Sequence, residues 1–198
     1  MKYRYLPRVL LLVIQTGGRV TQVKTRISDA REKFLPRPVT IVTVSDPHNL
    51  HDNIGPMPSG DILIHSGNLT NGGTEGELTE AFDWLQSVPG FEYKKWIGGN
   101  LGRILMSKVK QEEFCVKFPS LTYLQVKTVV TSVRGRKLRT YGPAGTPKLG
   151  FSPAFQRTEI AEEQAKNRRV WSRIPQDTDI VVSHGPQLHL CDHKGYGY

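Results

Sequence analysis

The chain has 198 residues, 37% of them hydrophobic, and a formal charge of +9 at pH 7. That length suits one domain with a core of its own, and no apolar run is long enough to span a bilayer. The charge is uneven: residues 1–38 hold nine Lys/Arg against Asp29 and Glu32, whereas the other 160 hold 18 basic and 16 acidic side chains. The basicity belongs to an N-terminal extension without sustained aromatic interleaving, which disfavours nucleic acid as the partner.

Residues 1–37 carry no acidic residue before Asp29, and Arg4, Arg8, Arg19 and Arg26 give them a composition like that of a mitochondrial transit segment. Val9–Ile14 is a short apolar run with no small-residue cleavage site after it. The expectation is a partly disordered basic tail, or an added edge element, ahead of a domain over 38–198. Cys115 and Cys191 have no framework spacing, which fits reduced thiols and a cytoplasmic address, with a mitochondrial one as the alternative.

Val39–Ser45 and Asp61–Ser66 are short, β-rich apolar runs bounded by Gly and Pro, as buried strands of an α/β sheet are. After Asn68 and a turn at Asn71-Gly72-Gly73, Thr74 and Glu77 make a capping box. Leu78, Ala81, Phe82 and Leu85 follow at helical spacing, and Pro89-Gly90 ends the helix. Lys94–Ile97 is predicted as a strand running into Gly98-Gly99-Asn100, and a helix is expected around Ile104–Phe114. Leu121–Val133 and Lys137–Tyr141 read as a hairpin with a basic tip at Arg134-Gly135-Arg136. Gly142–Pro147 is a predicted loop, Thr158–Trp171 a helix and Asp179–Ser183 a last strand. Strands alternating with helices make this an α/β domain.

The first strand ends in Asp46-Pro47-His48, the second in Gly67-Asn68, the third in Gly98-Gly99-Asn100, and the last in Ser183-His184-Gly185. Ligand crevices of open α/β sheets lie outside the carboxyl ends of the strands, so these residues are expected to converge there. Asp supplies a hard oxygen and His a nitrogen, a mix suited to Mn, Fe, Zn or Mg. Pro47 also predicts an extended Asp46. The rival reading of each is structural: an Asx-type turn at Asp46, plain turn residues at Asn68 and Asn100, a buried imidazole at His184. His51 and His65 have no partner by spacing and are read as structural.

In this order, Asp-Pro-His, Gly-Asn, Gly-Asn-Leu-Gly and His-Gly resemble the calcineurin-like metallophosphoesterases, most closely their small single-domain fungal and animal branch. The flanks Gly60–Leu85, Arg134–Gly150 and Asp177–Asp192 share the likeness, which covers roughly residues 38–191. It implies two β-sheets packed face to face and flanked by helices. It also implies metal ligands at Asp46, His48, Asn68, Asn100 and His184, and hydrolysis of phosphomonoesters or phosphodiesters.

Several departures fall on the chemistry. Asn68 stands where the family places an aspartate bridging two metals; a carboxylate offsets the repulsion of two dications ~4 Å apart, and an amide does so poorly. Leu101 stands where the family has a histidine serving the leaving group, and Gly102 where it has an acidic residue. The closing Gly-His-x-His pair is not found before Tyr198, so the domain reads as C-terminally truncated. His189 and His193 are read as a solvated tail. The resemblance therefore implies one divalent ion at most, no membrane, and a phosphoester or nucleotide-like ligand. Two readings follow, a weak one-metal phosphoesterase or an inactive homologue that binds metal or ligand, with a truncated or mis-spliced product of an active gene as the alternative.

Overall fold

The computed structural model describes residues 9–15, 38–143, 145–147, 154, 156–157 and 172–185. Its first sheet has five parallel strands in sequence order: β1 (Val9–Gln15), β2 (Val39–Ser45), β3 (Ile62–His65), β4 (Tyr93–Trp96) and β5 (Leu121–Tyr123). Within the N-terminal extension, Val9–Gln15 pairs along all of β2 and forms the sheet edge. A second sheet has the order β10-β7-β6, from β6 (Lys127–Val133), β7 (Arg136–Gly142) and β10 (Ile180–Val181). Two-residue strands β8 (Thr146–Pro147) and β9 (Gln156–Arg157) pair with each other in parallel. Among the described residues, no helix is long and apolar enough to cross a membrane.

The largely apolar runs of β2 and β3 follow from burial on both faces. Val42, Val44 and Leu63 pack under the helices α1 (Glu75–Ser87) and α2 (Lys108–Lys117), with Leu78, Phe82, Leu85, Phe114 and Phe118. Val39, Ile41, Ile62 and Ile64 point the other way, against Val133 and Leu138 of the second sheet and Val182 just after β10. The expected face-to-face pair of sheets is present, with helices over the outer face of the first. The predicted helix over Thr158–Trp171 lies outside the described residues.

The capping box forms as predicted: the Thr74 hydroxyl accepts the Glu77 N–H, and the Glu77 carboxylate accepts the Thr74 N–H. Asn49 Nδ2 also donates to Glu77 at 2.7 Å, tying the loop after β2 to α1. That bond first, and then the Thr74 backbone, holds the Glu77 carboxyl down to about 2.

Two expectations are corrected. The run Leu121–Val133 is not one strand, because Val126 turns the backbone into the left-handed region at φ 49. The chain thereby leaves the first sheet at Tyr123 and enters the second at Lys127. The helix expected around Ile104–Phe114 is a 3-10 turn at Arg103–Met106 followed by α2, because the Ser107 hydroxyl accepts the Lys110 N–H and restarts the helix there.

One residue breaks the apolar pattern between the sheets. Lys95 on β4 is fully buried, and its ammonium donates to the hydroxyls of Thr140 at 2.6 Å and Thr131 at 3.2 Å. Burial pushes its pKa down to about 8. Its neighbour Lys94 faces the helices and donates to the Gln86 carbonyl near the end of α1, where a helix dipole favours a cation.

Candidate metal centre

The loops leaving β2 and β3 run side by side beyond the sheet. Asp46 N–H bonds the Gly67 carbonyl at 3.1 Å, His48 N–H that of Asn68 at 3.3 Å, and Asn49 N–H that of Leu69 at 3.0 Å. Asp46, His48, Asn49 and Asn68 all have positive φ, between 48 and 64. Asn, Asp and His tolerate this region best among residues with a Cβ, and such strain gathers at functional sites. Asp46 is therefore not extended as Pro47 predicts; its bond to Gly67 holds a left-handed turn.

The five residues singled out from the sequence lie together. Asn68 Nδ2 donates to Asp46 Oδ1 and to Asn100 Oδ1, both at 3.0 Å, while its own Oδ1 accepts the Leu101 N–H at 3.0 Å. The Leu101 bond fixes which end of the amide is which. His184 Nε2 lies 3.1 Å from Asn100 Oδ1 and 3.9 Å from Asp46 Oδ1, and His48 Nε2 is 3.6 Å from Asp46 Oδ1. Two glycines allow this crowding. A Cβ on Gly99 would meet Asn68 Oδ1 at 2.3 Å, and one on Gly67 would meet His184 Nδ1 at 2.6 Å.

The donor set is complementary to a cation. His184 Nδ1 faces the Ser66 carbonyl at 2.9 Å, and a carbonyl only accepts, so Nδ1 carries the hydrogen. That bond turns Nε2 inward, toward the Asn100 and Asp46 oxygens. One carboxylate, one amide oxygen and two imidazoles suit one borderline or hard divalent ion. They do not suit two bridged ions, because the central Asn68 presents hydrogens where a bridging carboxylate presents oxygens. Among the described residues, no three His, Cys, Asp or Glu side chains gather tightly enough to hold an ion by themselves. His189 and His193 lie outside the described residues.

Leu101 occupies the tight turn after Asn100, where Arg103 N–H bonds its carbonyl at 2.9 Å. Its side chain has no proton to give. His65, read from the sequence as structural, supports the cage from below. It is wholly buried, its Nδ1 accepts the Gly67 N–H at 3.2 Å, and burial first, then nearby His184 and His51, holds its pKa down to about 3. The available signal was its register on β3, opposite Val44 and Trp96. His51 packs against Trp84, with ring centroids 5.3 Å apart.

Comparison with known proteins separates the family from the rest of the question. The chain is 30% identical over 197 residues to metallophosphoesterase domain-containing protein 1 of Homo sapiens, a match covering 88% of this chain and 58% of that protein. It is likewise 30% identical over 167 residues to a UPF0046 protein of Caenorhabditis elegans, covering 78% of this chain and 53% of that one. These likenesses support a calcineurin-like metallophosphoesterase-type branch. A further match, 39% over 168 residues, covers 81% of this chain but 15% of the probable rhamnogalacturonate lyase C of Emericella nidulans. The chain spans about half the length of these metallophosphoesterase-type relatives and a small part of the lyase. No family model matches it. Among solved structures, the phosphopantetheinyl hydrolase of Mycobacterium tuberculosis overlaps with TM-score 0.49 at 15% identity, covering 78% of this chain and 70% of that one.

Proposed function

We propose that this metallophosphoesterase homologue binds one divalent cation between Asp46, His48, Asn100 and His184. A phosphoester or nucleotide-like small molecule then docks over it, and hydrolysis is weak or absent. The observation that carries the reading is the Asn68 amide, which donates to Asp46 and Asn100 from the middle of the cage. When bound, a divalent cation supplies Lewis-acid polarisation of a phosphoryl oxygen and neutralises its charge. Asp46 offsets the ion's charge, and the Ser66 carbonyl holds His184 in the tautomer that points Nε2 inward. Leu101 gives the leaving group no proton, a deficit worth typically ~10²–10⁴-fold in rate. Two cysteines without framework spacing favour a reducing compartment, cytoplasm before mitochondrion.

Calorimetric titration with Mn²⁺, alongside hydrolysis of aryl and cyclic-nucleotide phosphodiesters, tests this. The expected result is one weak site, lost in Asp46→Ala, and turnover close to that of buffer. Two ions bound per chain, or robust turnover, overturns the one-metal reading.

A further inference from the structure

The centre of the cage is filled by a side chain of the protein itself. Asn68 Nδ2 stands 3.0 Å from the Asp46 carboxylate and 3.0 Å from the Asn100 amide oxygen, the two hard oxygens an entering ion would take. An oxygen-bound divalent ion of this size needs ~2.0–2.2 Å to each donor. The NH2 group and the ion therefore cannot share the space between those oxygens. The amide is also latched from behind: its Oδ1 accepts the Leu101 N–H at 3.0 Å, Gly99 presses against it with no room for a Cβ, and the Asn68 backbone is held at φ 53.

We propose that the Asn68 amide is a tethered stand-in for the cation. It closes the cage without metal by turning two N–H hydrogens onto the oxygens, and it must swing aside before an ion can enter. Asn68 is then a gate that competes with the metal and not one of its ligands. This rests on the one-metal reading above and adds to it why the site is weak. Entry of an ion breaks three hydrogen bonds, to Asp46, Asn100 and Leu101. Each is worth about two- to fivefold in an equilibrium constant, so together they hold ion affinity down by roughly 10- to 100-fold.

The test separates gate from ligand. Mn²⁺ affinity is measured by calorimetry, and melting temperature is followed with and without Mn²⁺, for the wild-type chain, Asn68→Ala and Asn68→Asp. A gate predicts that Asn68→Ala binds Mn²⁺ about 10- to 100-fold tighter than wild type, with a lower melting temperature in chelator and a larger rise on adding the ion. Equal or weaker binding in Asn68→Ala overturns the gate while leaving the one-metal site intact. If Asn68→Ala does not fold, Asn68→Asp decides. Its carboxylate replaces the NH2 opposite Asp46, so it should melt below wild type in chelator and recover with Mn²⁺. An Asn68→Asp chain as stable as wild type in chelator overturns the proposal. Absence of Mn²⁺ binding in all three chains removes the one-metal reading itself.

Discussion

Phe82→Ala is expected to lower the unfolding free energy by ~4 kcal/mol, near the middle of the range for emptying an aromatic core position. Phe82 has no exposed surface, and its ring meets those of Trp96 at 4.5 Å and of Phe114 and Phe118 at 5.3 Å each. One side chain of α1 thus joins that helix to β4 and to α2, and its removal strips three rings of a partner at once. The natural control is Val116→Ala on the exposed face of α2, where the side chain is 81% exposed and a change within ~0.5 kcal/mol is expected. Urea denaturation of both variants makes the comparison. A loss below ~2 kcal/mol in Phe82→Ala would mean that α2 collapses onto the sheet and refills the space.

Lys95→Met should move stability the other way. A buried ammonium whose partners among the described residues are two threonine hydroxyls is poorly compensated, and methionine has a similar length without the charge. Lowering the lysine from 10.5 to about 8, at ~1.4 kcal/mol for each pH unit, corresponds to ~3 kcal/mol of destabilisation while it is protonated. Thr131 and Thr140 lose their partner in the variant, so a net gain of ~2 kcal/mol at pH 7 is expected. The sign with pH follows from the folded value lying below the unfolded one. The wild-type chain carries the whole cost below about 8, and its stability climbs as pH rises from 8 towards 10.5. The variant should lack that climb. Melting curves at pH 7, 8.5 and 10 read both effects, and a wild-type curve flat over that span would show that Lys95 reaches solvent or a carboxylate.

The legible parts of the fold were those written in local pattern. Thr74 and Glu77 announced the start of α1, and Leu78, Ala81, Phe82 and Leu85 are its buried residues. Val39–Ser45 was bounded to the residue, because its β-branched run, apolar but for Thr40, Thr43 and Ser45, is flanked by prolines. The site was legible as a set of strand ends. Its internal arrangement was not, because it depends on contacts far along the chain. Which way Asn68 turns is decided by a backbone N–H 33 residues away. Asp46 escapes the conformation its proline predicts through a bond to Gly67. Lys95 carries no local mark of its burial, which depends on Thr131 and Thr140 of the second sheet closing over it. The Val126 bend had no signal either, since valine is the residue least expected to mark a left-handed turn.

The connectivity also sets how the molecule assembles in time. Every neighbour in the five-stranded sheet is parallel, so each ladder must first close a loop holding an entire crossover. Such nonlocal pairings slow folding. The β6–β7 ladder is different: its strands are joined through Arg134-Gly135, at φ 49 and 76, and local hairpins close in about 1–10 μs. With three residues between β5 and β6, the hairpin carries the last strand of the first sheet with it. The rate-limiting ensemble should therefore hold a formed hairpin and an open parallel edge. Conservative truncations at Leu138 and Val133 should slow folding, whereas those at Val39 should chiefly speed unfolding. The reverse pattern in stopped-flow kinetics would place nucleation in the parallel sheet.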